Sequence, residues 1–172
     1  MYFSTTIGYQ DNNNNINWLN PRENECNWSE GIKCHPNTLL IYELNFQDMG
    51  IEGILPDELG LLSSSGSSGS SSSSSGMEIL QFSKNQLYGT ISSSMIENLS
   101  NLKVLDLSHN TLSGTLPSNL FWHLTNLRIL DLRTNNLYGT IPSEITNLSK
   151  KLDILRLDSN EFTGSLPSSL FE

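Results

Sequence analysis

Apolar residues recur along most of this chain with a period far longer than that of a helix or a strand. The stretches LKVLDLSHNTLSGTLP from Leu102, LRILDLRTNNLYGTIP from Leu127 and LDILRLDSNEFTGSLP from Leu152 superpose position by position. MEILQFSKNQLYGTIS from Met77 falls into the same register, and each start lies 25 residues after the last. A looser copy begins at Ile41, IYELNFQDMGIEGILP. Within a unit, Leu105 and Leu107 stand two apart, as do Leu130 and Leu132, so each pair points to one side of a short strand. One such unit cannot bury its apolar side alone, so the pattern predicts stacked units sharing a continuous core. Their strands should form a parallel sheet about 4.8 Å apart. Leu112, Leu116 and Leu120 should pack behind it as the chain turns back.

Other fixed positions fit that scheme. Asn85, Asn110, Asn135 and Asn160 share one column, and a buried amide at a strand end can both donate to and accept from turn backbone. Met49 stands there in the first copy, which predicts a broken ladder at that point. Gly89, Gly114, Gly139 and Gly164 suit a turn that needs positive φ or close backbone approach. Pro117, Pro142 and Pro167 follow them, with Ser92 as the exception.

The pattern L-x-x-L-x-L-x-x-N-x-L with the tail L-x-G-x-[IL]-P resembles the plant-type leucine-rich repeat. That resemblance implies an α/β fold, a right-handed horseshoe-shaped solenoid with a parallel β-sheet on its concave face. It also implies a layout: an amino-terminal cap over 1–38, a degenerate first repeat over 39–62, and four repeats over 77–172 with the last truncated. The segment NWLNPRENECNWSEGIKC is similar to the family's cap motif through Cys26, Trp28, Gly31, Ile32 and Cys34, with one extra residue between Trp28 and Gly31. A disulfide between Cys26 and Cys34 follows from the resemblance, and with it an oxidising, extracellular setting. A pair of free thiols is the competing reading. A zinc site would need more ligands than Cys26, Cys34 and His35 offer, so no metal or cofactor is expected.

Composition narrows the function. A formal charge of -9 argues against nucleic-acid binding, because phosphate contacts need clustered Lys and Arg. No run of 18 apolar residues is present, so no membrane span is expected, and Met1 opens no secretory signal. The triplets at Asn27, Asn98 and Asn147 fit N-glycosylation acceptors, the last two at one repeat phase. Residues 63–76, SSSGSSGSSSSSSG, interrupt the period and are expected to be a disordered loop. The chain is read as a fragment, with a secretory signal expected upstream and further repeats downstream.

Catalysis needs a nucleophile, a base or paired carboxylates converging in a pocket. His109 and His123 fall on different sides of the predicted coil, so neither is assigned a catalytic role. Strand alternation instead directs Lys84, Lys103, Asp106, His109, Arg128, Asp131, Arg133, Arg156 and Asp158 to the concave face as ligand-binding candidates. Arg128 with Asp153, Asp131 with Arg156, and Arg133 with Asp158 lie one unit apart and should pair. Lys103 beside Arg128 and Asp106 beside Asp131 stack like on like, which marks them for ligand contact. The column Ile79, Val104, Ile129 and Ile154 is expected at the sheet edge. Phe121 should fill the core, and Trp122, more exposed, should be a partly covered aromatic on the convex side, with an anchor for a partner as the alternative. The resemblance implies a non-enzymatic recognition module of a receptor-like protein, with a protein or peptide ligand and room for a co-receptor. A secreted inhibitor of a wall-degrading enzyme and an adhesion protein are the alternatives. A kinase domain, if there is one, would lie beyond this segment.

Overall fold

The structure, a computed structural model, describes residues 31–37, 40–63, 76–148 and 151–168. Cys26, Asn27, most of the cap and nearly all of the Ser/Gly tract lie outside the described residues. One six-stranded sheet contains β1 (Ile32–Cys34), β2 (Ile41–Asn45), β4 (Ile79–Gln81), β6 (Val104–Asp106), β8 (Ile129–Asp131) and β10 (Ile154–Arg156), in that spatial order. β1 runs antiparallel to β2; the other pairings are parallel. Registers align equivalent residues, Leu80 with Leu105, Leu105 with Leu130 and Leu130 with Leu155. A one-residue slip would turn every leucine outward, so burial of this face fixes the register.

A second sheet stands beside the first, and the sequence pattern did not predict it. It contains β3 (Glu52–Ile54), β5 (Gln86–Gly89), β7 (Thr111–Gly114), β9 (Asn136–Thr140) and β11 (Glu161–Thr163), all parallel. Four of the five begin at the residue after the column's asparagine, and β3 begins three residues after Met49. Leu87, Leu112 and Leu137 point inward and are fully buried, while their neighbours face outward. Here the pairing is staggered, Tyr88 opposing Thr111 rather than Ser113. The stagger seats each glycine on the preceding rung. Gly114 has φ +88, and a Cβ there would stand 2.8 Å from the Cγ2 of Thr90. Glycine is required on both counts.

Short helical turns close each coil: α1 (Ser93–Glu97), α2 (Leu120–His123), and 3-10 turns over Asp57–Ser63 and Ser143–Leu148. Ser92, standing where later units carry proline, caps α1 by accepting a hydrogen bond from Ser94 N. Met95, Ile96, Leu120 and Phe121 are buried beneath these turns. One continuous apolar core therefore runs through every rung, from Ile32 to Leu148. It thins at the last rung, where Leu155, Leu157 and Phe162 are only partly buried and Leu166 is 46% exposed.

The asparagines bind the rungs together in one direction. Asn110 Nδ2 donates to the carbonyls of Leu107 and Ser108 in its own turn, and to Phe82 O of the preceding rung at 2.9 Å. Its Oδ1 accepts from Leu87 N, again one rung back. Asn135 and Asn160 repeat the arrangement. Asn85 reaches back the same way, accepting from Met49 N and Ile51 N and donating to Phe46 O. Each amide thus serves the rung before its own. Asn85 links the first two repeats, and the gap in the column at Met49 falls one rung earlier, where no amide among the described residues reaches back from the first repeat.

Beside the cap strand, Glu43 is buried and accepts two hydrogen bonds from Lys33 Nζ, at 2.9 and 3.0 Å. That hydrogen bonding, with the carboxylate's charge behind it, raises the Lys33 ammonium above its ordinary pKa.

Candidate ligand-binding face

Residues that alternate with the buried leucines of the six-stranded sheet face the concave side. Ile79, Val104, Ile129 and Ile154 lie directly across from one another in the ladder, half-buried, on the face opposite Leu80 and Leu105. Each is the first residue of its strand, so they form an aliphatic floor along the margin of the concave sheet, as expected.

Charged columns flank this floor. Lys103 stands one rung from Arg128, and its Nζ lies 2.7 Å from Glu78 Oε2, so its charge is paired. Arg128 in turn pairs with Asp153 at 3.5 Å between exposed side chains, a contact contributing at most about 1 kcal/mol. Asp106 is taken up by its own turn, accepting from Ser108 N at 3.0 Å and from Ser108 Oγ at 2.7 Å.

Asp131 departs furthest from expectation. It is 2% exposed, and its carboxylate accepts from Arg133 N and from Arg156 Nη1, each at 3.2 Å. Arg133 Nε stands 3.4 Å away, so Arg133 pairs with Asp131 rather than with Asp158. A carboxylate held this way is part of the scaffold and is not presented to a ligand. Two guanidinium groups converge on its carboxylate, and the Asp106 carboxylate stands opposite Asp131 on the neighbouring strand. Arg156 is exposed. Lys84 and Asp158 are also exposed and make no ion pair among the described residues.

At the rim, Asp48, Lys84, His109, Thr134 and Ser159 occupy one column, and all have φ between 55° and 59°. This column was not foreseen, because the five side chains share no chemistry. Their N–H groups point to the next rung: Lys84 N to Ser108 O, His109 N to Arg133 O, Thr134 N to Asp158 O. Cross-rung bonding imposes the left-handed conformation whatever the side chain. Thr134, β-branched and exposed, suffers most from it. Thr134→Gly should raise stability by about 1 kcal/mol in a denaturant titration, strain relief exceeding the added chain entropy. A loss of stability would contradict that reading of the turn.

The remaining candidates lie elsewhere. His109 is on the rim and His123 on α2, with no carboxylate in contact with either among the described residues; no cluster there could hold a metal ion. Cys34 is half-buried and is no free thiol. Asn98 and Asn147 are exposed at the ends of the short helical turns. Phe121 is fully buried, while Trp122 is 62% exposed, more open than expected. The Ser108 hydroxyl is buried and tied to Asp106 in one turn, and the exposed groups described on the concave face are suited to binding.

The leucine rich repeat family matches residues 75–137 and again 151–172. The chain is similar to one in the crystal structure of the BIR3–SERK2 complex from Arabidopsis thaliana, at 30% identity and a TM-score of 0.74, over 88% of this chain and 73% of that one. This chain is a plant-type leucine-rich-repeat protein. The leucine-rich-repeat chain is likewise similar to the BIR2 ectodomain of the same plant, at 28% identity and a TM-score of 0.75, over 89% and 74% of the two chains. With the ectodomain of the receptor kinase GASSHO1/SCHENGEN3, crystallised with CASPARIAN STRIP INTEGRITY FACTOR 2, it shares 30% identity at a TM-score of 0.79. That match covers 95% of this chain but 18% of the receptor's. No curated protein matches the sequence. The solenoid expected from the repeat pattern is therefore the fold observed, and no helix among the described residues is long and apolar enough to cross a membrane.

Proposed function

We propose that this leucine-rich-repeat chain is the extracellular recognition segment of a receptor-like protein, and that it takes a protein or peptide ligand across its concave face. The carrying observation is the floor itself. An aliphatic column, Ile79 to Ile154, runs beside a pair of guanidinium groups, of which that of Arg156 is exposed. Extended polypeptide suits such a surface: apolar side chains cover the column, and an acidic group meets Arg156. Similar solved structures support the reading. The HAESA receptor kinase was crystallised with the peptide hormone IDA and the co-receptor SERK1, and PEPR1 with AtPEP1. A bridge between Cys34 and Cys26, and glycans on the exposed Asn98 and Asn147, fit the same extracellular setting.

The test is selection of displayed peptides against the folded chain, followed by affinity measurements on Arg156→Gln. Enriched peptides should combine apolar residues with an acidic group, and the variant should bind them about tenfold more weakly with an unchanged circular dichroism spectrum. Equal affinity for both proteins would remove the concave arginines from the site.

A further inference from the structure

Of the five large apolar side chains that stand exposed among the described residues, three lie on one surface: Ile54 at 45%, and Tyr88 and Tyr138 at 50% each. That surface is the outward face of the five-stranded sheet, on β3, β5 and β9. Ile54 and Tyr88 stand directly opposite each other in the ladder. Tyr138 is two strands further on, with β7 between. The core is served by Leu87, Leu112 and Leu137. The rings beside them are not needed for packing, and the period puts a serine, Ser113, at the same place in β7.

Charge is absent from the middle of this face. β5, β7 and β9 turn outward Gln86, Tyr88, Thr111, Ser113, Asn136 and Tyr138, and glutamates stand only on the outer strands, at Glu52 and Glu161. The concave face is opposite in character, with Arg128, Asp153, Arg156 and Asp158 all exposed. A polymer carrying ionised groups would lose water around them here and find no counter-charge. Polypeptide averages about one charged residue in four. The polymer that fits is an uncharged polysaccharide, with hydroxyls along its edges and apolar C–H faces on its rings.

The polar groups suit hydroxyls. Thr111 Oγ1 donates to Leu87 O at 2.9 Å, which fixes the hydroxyl and leaves its lone pairs to accept from outside. The exposed side-chain amides of Gln86 and Asn136 make no hydrogen bond among the described residues, and each can both donate and accept. The scaffold beneath is stiff. Methyl groups of Ile54, Thr90 and Thr115 lie within 3.1 Å of where a Cβ on Gly89, Gly114 or Gly139 would stand. A face held this way loses little freedom on binding.

We infer that the outward face of the five-stranded sheet is a second binding surface, taking an unbranched β-1,4-linked glucan whose sugar rings stack on Tyr88 and Tyr138. Equatorial links leave both faces of each sugar bare and keep the chain extended, so one chain crosses successive rungs. Stacking removes ring and C–H surface from water, while edge hydroxyls exchange hydrogen bonds with Gln86, Thr111 and Asn136. This surface is separate from the concave floor, so the two sites stand or fall independently.

The probe is cellohexaose, titrated into the full chain in a calorimeter, with laminarihexaose and hexagalacturonate as comparisons. Cellohexaose should bind, and the coiled β-1,3-linked and the anionic sugars should bind about tenfold more weakly or less. Tyr88→Ala and Tyr138→Ala should each weaken binding about fivefold at an unchanged circular dichroism spectrum, and the double variant more than either. Tyr88→Phe should keep most of the affinity, because the ring face and not the phenol makes the contact. Arg156→Gln should leave it unchanged. No binding of cellohexaose, or equal affinity in the double alanine variant, would overturn the proposal. So would tighter binding of hexagalacturonate. Selected peptides that lose affinity in the double variant, with cellohexaose not bound, would assign the face to a polypeptide and overturn it too.

Discussion

Asn110→Leu is expected to destabilise the protein by about 3–5 kcal/mol, measured as a drop in the urea midpoint at unchanged m-value. The amide donates to Phe82 O, Leu107 O and Ser108 O and accepts from Leu87 N, all within 3.2 Å. Leucine matches its volume but none of its bonds. The N–H of Leu87 and the strand-end carbonyls would be left buried without this partner, each at about 1–3 kcal/mol. Partial relaxation of the turn keeps the total below the sum. The same change at Asn160 should cost less, because that residue is half-buried and water can reach part of its turn. Should Asn110→Leu cost under about 1 kcal/mol, the amide ladder would not be what joins the rungs.

The second large effect is in the core. Leu130→Ala should cost about 3–5 kcal/mol, since Leu130 is fully buried between the equivalent leucines of two neighbouring rungs. Leu155→Ala should cost roughly half as much, because Leu155 is only partly buried and has a neighbouring rung on one side among the described residues. In a stack where stability is a sum of nearest-neighbour terms, position along the stack sets the cost even when the residue type is constant. Equal losses at the two positions would contradict that additive picture.

The strands of the concave sheet, the inward leucines and the asparagine column were legible because each depends on a side chain recurring at one phase. The second sheet was not. Its strands span three to five residues after the asparagine, too few for alternation such as Gln86-Leu87-Tyr88 to stand out from ordinary core packing. The concave charges were legible as a set but not as pairs. Lys103 has Glu78 one unit behind it as surely as Arg128 one unit ahead, and Asp131 has an arginine both two residues on and a full unit on. Geometry decides among such partners, and it buried Asp131 while leaving Arg156 open. The left-handed rim column could not be read from residue type at all, since hydrogen bonds from the adjacent rung dictate it.

The backward reach of every asparagine gives the stack a polarity. When one coil loosens, it withdraws its amide from the coil before it and takes its own backbone partners, such as Leu87 N and Phe82 O, away from the amide of the coil after it. Opening is therefore felt on both sides with a different loss on each: the coil before is left with unpaired backbone groups, the coil after with an unpaired amide. Amide protons such as that of Leu87 depend for their protection on whether Asn110, in the coil after theirs, is in place.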